Sequence, residues 1–189
     1  MRPDFRFARM LLKTGSLGDD SVLRAIIGEI ESEGIEVVQA ADFVTDLHAP
    51  AGLLAGPRPS EDLWRDIRYG WPIARSIGNM DIGQCIVVKK RMVVAVECLE
   101  GTDATLRRGG ELGGAGCVAL KLVKPGQDER VDLPAIGLQT IRILTQAKYA
   151  CLAYEAGKTL FFDIRESLEL AEASGLSLVG VSPEDLSDD

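Results

Sequence analysis

The sequence predicts an α/β fold in which helices flank a mixed β-sheet. Three observations lead there. Short apolar runs recur along the chain, as in CIVVKKRMVVAVECL and LSLVGV; stretches with apolar residues at helical spacing fall between them; and glycine, proline and aspartate mark the joints. No internal repeat breaks this alternation.

In order, PDFRFARMLLKTG (Pro3 to Gly15) reads as a short helix with Phe5, Ala8, Leu11 and Leu12 on one side. Asp19 or Asp20 caps a second helix from Ser21 to Glu33, which presents Val22, Leu23, Ile26, Ile27 and Ile30 and stops at Gly34. IEVVQA (Ile35 to Ala40) is expected as a strand and residues 41–59, with Pro50, Pro57 and Pro59, as a loop. Ser60 caps a third amphipathic helix to Ile77, which Pro72 is expected to kink. Cys85 to Leu99 is a hairpin around the basic turn Lys89 to Arg91. Thr102 to Leu112 starts a short helix that Gly109, Gly110 and the glycines after them are expected to interrupt. Cys117 to Lys124 is a strand, and Pro125 to Pro134 is a loop or short strand leading into a helix that runs to about Lys148. Cys151 to Phe162 reads as a second hairpin around Ala156 and Gly157. Asp163 with Glu166 has the spacing of a capping box for the last helix, ended by Gly175, and Leu176 to Val181 is a final strand before a polar tail.

Composition narrows the function. With 46% hydrophobic and 26% charged residues the chain is an ordinary globular protein, and its 189 residues suffice for a proper core. A net charge of -8 argues against nucleic acid as a partner, because phosphate contacts need a basic face. The four cysteines lack C-x-x-C spacing and sit in or beside apolar segments, which reads as buried free thiols in a reducing compartment. His48 is the single histidine, so histidine-based triads and histidine-rich zinc sites are out of reach. With no apolar run of membrane-spanning length and no signal-peptide core, the expected location is the cytoplasm, with peripheral membrane contact left open.

YEAGKT ends like a phosphate-binding loop, but the required first glycine would fall at Leu152, and GGELGGAG fails G-x-G-x-x-G in every register. Carboxylates are more informative. Asp81, Glu97, Glu100, Asp103, Asp128 and Asp132 all stand at the ends of apolar segments or in the short loops between them, where binding groups of a sheet protein converge. For each taken singly, helix capping or pairing with Arg107, Arg108, Arg130 or Lys121 is the simpler account; their clustering around two short segments points to a site. Glu97 poses the sharpest question, because an unpaired charge buried beside an apolar strand costs several kcal/mol or shifts its pKa. It is expected to meet a basic residue or a donor that holds the following E-G-T-D loop. Asp132, directly before Leu133 and Pro134, is either a helix N-cap or a carboxylate aimed at a cation or a water.

RPDF (Arg2 to Phe5), GDDSVLR (Gly18 to Arg24), DIGQ (Asp81 to Gln84), VECLEGTDATLRRGGELGG (Val96 to Gly114) and KPGQDERVDLPAIG (Lys124 to Gly137) follow one another in an order that closely resembles the C-terminal half of the LpxI family, the UDP-2,3-diacylglucosamine pyrophosphatases of lipid A synthesis. The resemblance implies a single C-terminal domain of a two-domain family over residues 1–189, with residues 1–16 as the junction helix and the family's N-terminal domain absent and to be supplied as a partner. It also implies hydrolysis of the pyrophosphate of a lipid-linked UDP-sugar to UMP and 2,3-diacylglucosamine 1-phosphate (lipid X). A divalent cation such as Mg²⁺ would assist, at a site between the domains, with the acyl chains in an apolar cleft.

The resemblance implies that Asp132 is the essential carboxylate; an ordinary aspartate pKa favours a metal-ligand role for it first and a general-base role second, with Asp103 expected as a further ligand. Glu100, Thr102 and Asp103 of E-G-T-D, with Gln84, line the substrate site. Arg107, Arg108, Lys121 and Lys124 supply the cations a cleaved pyrophosphate needs. Ala135 departs from the threonine usual after the motif proline. A non-catalytic lipid or lipid-phosphate binding domain is the competing reading, a plain α/β interaction domain a third, and self-association stays open.

Overall fold

A computed structural model of the protein describes residues 19–39, 43–125 and 133–187. The chain divides into two compact units, residues 1–45 with 126–133 and residues 46–125 with 134–189. In the first unit, α1 (Asp19–Glu31) buries Ile27 and leaves Ile26 and Ile30 exposed. Past it, Gly34 takes the left-handed φ of 79° that a glycine adopts without strain. The strand expected at Ile35 to Ala40 does not form over residues 35–39, where Ile35 and Val38 are exposed. An apolar run becomes a strand only where a neighbour completes its ladder. The helix read from Pro3 to Gly15 lies outside the described residues.

The second unit is built on a six-stranded mixed sheet. Its strands are β1 (Gly52–Ala55), β2 (Cys85–Lys89), β3 (Met92–Val96), β4 (Val118–Lys121), β6 (Cys151–Glu155) and β8 (Ser177–Val181), in the order β1-β8-β6-β4-β2-β3. The inner strands β4, β6 and β8 are parallel, whereas β1, β2 and β3 join antiparallel. Buried on both faces, the parallel strands read as unbroken apolar runs rather than alternating ones. Two short strands, β5 (Ala135–Ile136) and β7 (Leu160–Phe161), pair parallel in a sheet of their own.

Helices cover both faces. On one, α2 (Glu61–Asn79) lays Ile67, Trp71, Ala74 and Ile77 over Ile86, Val88, Val118 and Leu120. On the other, α3 (Thr102–Gly113), α4 (Leu138–Gln146) and α5 (Ile164–Ser174) set Leu106, Ile141, Leu144 and Ala171 against Val87, Ala119, Leu152 and Leu178. Each fully buried aliphatic side chain is worth about 1.5–3 kcal/mol relative to exposure. Ser60 caps α2 as expected, its hydroxyl accepting from the Leu63 amide at 3.4 Å, and the helix runs through Pro72 as one element.

Several expectations are corrected. Residues 41–59 are not all loop: β1 forms inside them on the open edge of β8. Cys151 to Phe162 is not a hairpin, because β6 pairs with β4 and β8 while β7 pairs with β5. Asp163 stands at φ 50° and makes no side-chain cap. Gly109 and Gly110 do not interrupt α3. At Gly109 a Cβ would lie 2.6 Å from Val87 Cγ2, so the glycine lets the helix approach the sheet. Of the four free cysteines three are buried, but Cys98 is exposed. Burial pushes the Cys85 and Cys151 thiols up to about 12.

The β2–β3 turn places Lys90 (φ 51°) and Arg91 (φ 56°) in the left-handed region, as a two-residue hairpin turn demands but non-glycine residues resist. The buried Asp66 of α2 repays this: its carboxylate accepts from the Lys90 amide at 2.9 Å and the Arg91 amide at 2.6 Å. Asp66→Ala is therefore expected to cost about 2–4 kcal/mol in chemical denaturation, through two lost charge-assisted bonds. Arg91→Gly should stabilise by about 1 kcal/mol by removing the left-handed strain.

Candidate functional site

Register decides where the chemistry collects. Cys85 of β2 faces Lys121 of β4, Ile86 faces Val96 of β3, and β4, β6 and β8 run parallel, so one edge of the sheet holds their carboxyl ends, the start of β2 and the end of β3. That edge carries the DIGQ and E-G-T-D segments together.

Glu97 is the first residue past β3 and only 6% exposed. Its amide donates to Cys85 O at 2.9 Å, which prolongs the hairpin. Its carboxylate accepts the Thr102 hydroxyl on Oε1 at 2.8 Å and the Gln84 amide on Oε2 at 3.3 Å. Among the described residues the carboxylate is thus met by a hydroxyl and an amide rather than by a basic side chain. Glu100, three residues on, accepts from Arg108 and, at 3.3 Å, from the Thr105 hydroxyl. Arg108 also donates to Val96 O at 2.9 Å and so straps the middle of α3 to the end of β3. Glu100's own backbone amide, and then the Arg108 guanidinium, hold its carboxyl below the usual glutamate range. Asp103 has only a loose partner, Arg107 at 3.9 Å. Gly101 is the N-cap of α3 and supplies no side-chain cap.

Lys121, at the end of β4, is 6% exposed and donates to Ala135 O at 2.8 Å. Lys124 pairs with Asp81 at 3.0 Å. Gln84 accepts the Leu122 amide on its main-chain oxygen at 3.0 Å, while its side-chain oxygen is buried without a hydrogen-bond partner. The structure therefore brings Gln84, Glu100, Thr102, Asp103, Arg107, Arg108, Lys121 and Lys124 to one edge. Asp132, with Asp128 and Arg130, lies outside the described residues.

Sequence reasoning passed over a further network there. Glu155, ending β6, meets Arg75 at 3.1 Å, Lys158 at 3.3 Å and the Val123 amide at 3.3 Å. Its signal was the one that exposed Glu97: a carboxylate closing an apolar strand. Three exposed apolar side chains, Met80, Ile82 and Leu99, stand on the two loops that meet where Gly83 approaches Glu97. His48 donates from Nδ1 to Gly157 O at 3.0 Å.

Among the described residues no three His, Cys, Asp or Glu side chains converge on a metal position. Glu97 and Glu100 are committed to donors, which leaves Asp103 as the open carboxylate of the E-G-T-D segment. One such ligand, with phosphate oxygens and water completing the shell, fits how Mg²⁺ is bound. No described helix is long and apolar enough to cross a membrane. A cavity of about 360 Å³ lies elsewhere, beside the β2–β3 turn, lined by Asp62, Arg65, Asp66, Lys90 and Arg91. Its buried carboxylate is already spent on the turn amides.

Comparison with known proteins adds an independent line. The LpxI C-terminal domain model matches residues 50–179 and the LpxI N-terminal domain model matches residues 1–47. The chain is 37% identical over 197 aligned positions to the UDP-2,3-diacylglucosamine pyrophosphatase LpxI of Caulobacter vibrioides, covering 98% of this chain and 70% of that protein. Both domain models are represented, so the expectation of a single C-terminal domain is corrected.

For the E-G-T-D segment the pH dependence follows from sign. A carboxyl held low in the folded state contributes stability above its unfolded pKa and loses it as pH falls through the folded one. An NMR titration should place Glu100 below the ordinary glutamate midpoint, and Arg108→Ala should raise that midpoint.

Proposed function

The chain belongs to the LpxI family, and from that premise we propose that it hydrolyses the pyrophosphate of UDP-2,3-diacylglucosamine to UMP and lipid X in lipid A biosynthesis. The observation that carries this is the 37% identity, over 98% of the chain, to a pyrophosphatase of that name. The geometry supports it: the motif residues that carry the resemblance, where described, collect at one sheet edge with cations beside them.

Cleaving a pyrophosphate places negative charge on the departing phosphate, and cations fixed in advance lower that cost. Lys121 and Lys124 are the proposed phosphate-facing cations, with Arg107 and Arg108 flanking the E-G-T-D segment. Lys121 suits the role because it is held in place by one carbonyl, and an ammonium carries three donors. Among the described residues Asp103 is the proposed carboxylate ligand of a magnesium ion, which would supply charge neutralisation when bound; Asp132 is the ligand that the motif match proposes. Asp132 is also the candidate to orient the attacking water, the single histidine, His48, being bonded to Gly157 O. Gln84 completes the proposed substrate contacts with its side chain and Thr102 with its backbone, the Thr102 hydroxyl being given to Glu97. Met80, Ile82 and Leu99 offer apolar surface beside the charged groups, as a lipid-carrying substrate requires. They suit the proposed peripheral contact of a cytoplasmic enzyme with a membrane.

UMP release from UDP-2,3-diacylglucosamine with Mg²⁺ tests this. Release is expected to stop with EDTA and to return with added Mg²⁺. Asp132→Ala is expected to lower it about 100-fold or more. Metal-independent release, or an Asp132→Ala protein as fast as the natural one, would contradict the assignment of roles. No release at all would contradict the activity.

A further inference from the structure

We propose that Glu97, which lies between the two motif segments, is a positioning residue: its buried carboxylate locks the DIGQ segment to the E-G-T-D segment. The inference rests on the hydrolase reading for its consequence, though not for its geometry.

Three observations converge. Each carboxylate oxygen holds a different segment, Oε1 taking the Thr102 hydroxyl at 2.8 Å and Oε2 the Gln84 amide at 3.3 Å. DIGQ is pressed against Glu97 itself at Gly83, where a Cβ would lie 2.2 Å from Glu97 O and 3.0 Å from Glu97 Cβ; any larger residue would push Glu97 away. Held on its main chain by Glu97 and by Leu122, Gln84 keeps a buried side-chain oxygen with no partner, an arrangement that otherwise costs free energy and suits a group kept ready for a ligand donor.

A carboxylate used only to stabilise the hairpin would need no bond to Thr102, which belongs to the next helix. The bond to Thr102 fixes the first turn of α3 and with it Asp103, the open carboxylate. Positioning of this kind acts on rate, because a misplacement of about 1 Å can cost on the order of 100-fold.

Thr102→Val, which keeps shape and removes the hydroxyl, and Glu97→Ala are each expected to lower UMP release about 10- to 100-fold, mainly in kcat. Thr102→Ser should recover most of the valine loss. Glu97→Gln, with one acceptor oxygen in place of two, should fall between. Cys98 gives a readout that does not depend on turnover: it is the exposed one of the four cysteines and adjoins Glu97, so a nitroxide placed there reports the loop directly. Its spectrum should show a more mobile label in Glu97→Ala and Thr102→Val, and the natural line shape in Thr102→Ser.

Unchanged kinetics and an unchanged line shape in Glu97→Ala would overturn the proposal. So would a loss of activity that tracks only a lower Tm while the label stays immobile. If the natural protein releases no UMP, the hydrolase reading fails by itself, and the label spectrum still decides whether Glu97 fixes the loop.

Discussion

The parallel pairing of β4, β6 and β8 is the constraint on which the other features depend. Because these strands run the same way, their carboxyl ends share an edge, and the antiparallel β2 and β3 return DIGQ and E-G-T-D to it. Parallel strands need helical crossovers. Here α4 and α5 supply them on one face and α2 seals the other. The core is thus spent on making one edge, and that edge is where polar groups can converge without disturbing the packing.

The buried charges follow a common rule. Glu97, Asp66 and Lys121 are each nearly removed from water, and each is met by main-chain groups or a hydroxyl. A charge satisfied by backbone fixes a loop more firmly than one paired with a long flexible side chain, since less rotamer freedom is lost. Asp66 uses this to hold a strained turn far from the site. Glu97 uses it to join two segments within the site. The surface pairs, such as Arg107 with Asp103, contribute little by comparison.

The sequence made parts of this legible and hid others for identifiable reasons. The β2–β3 hairpin, α2 with its Ser60 cap and the Gly175 end of α5 were readable because period and capping are local signals. β1 was not: Gly52–Ala55 lies among prolines and glycines and becomes a strand only because β8 offers an open edge. The false hairpin at Cys151 to Phe162 shows the converse, two apolar runs around a glycine whose partners lie elsewhere. The N-terminal family match over residues 1–47 was missed because residues 1–16 were read as a junction helix following that domain. Glu97 raised the right question from its position alone. That its partners among the described residues are a hydroxyl and an amide could not be read without the register that brings Gln84 beside it.

The most direct test of the account is amide hydrogen exchange on the full chain with and without lipid X. The slowed amides are expected at residues 82–85, 97–104 and 121–124, on the shared edge, with the β2–β3 turn at Lys90 and Arg91 unaffected. Protection centred on that turn, or none along the edge at saturating lipid X, would contradict the assignment of this edge as the functional site.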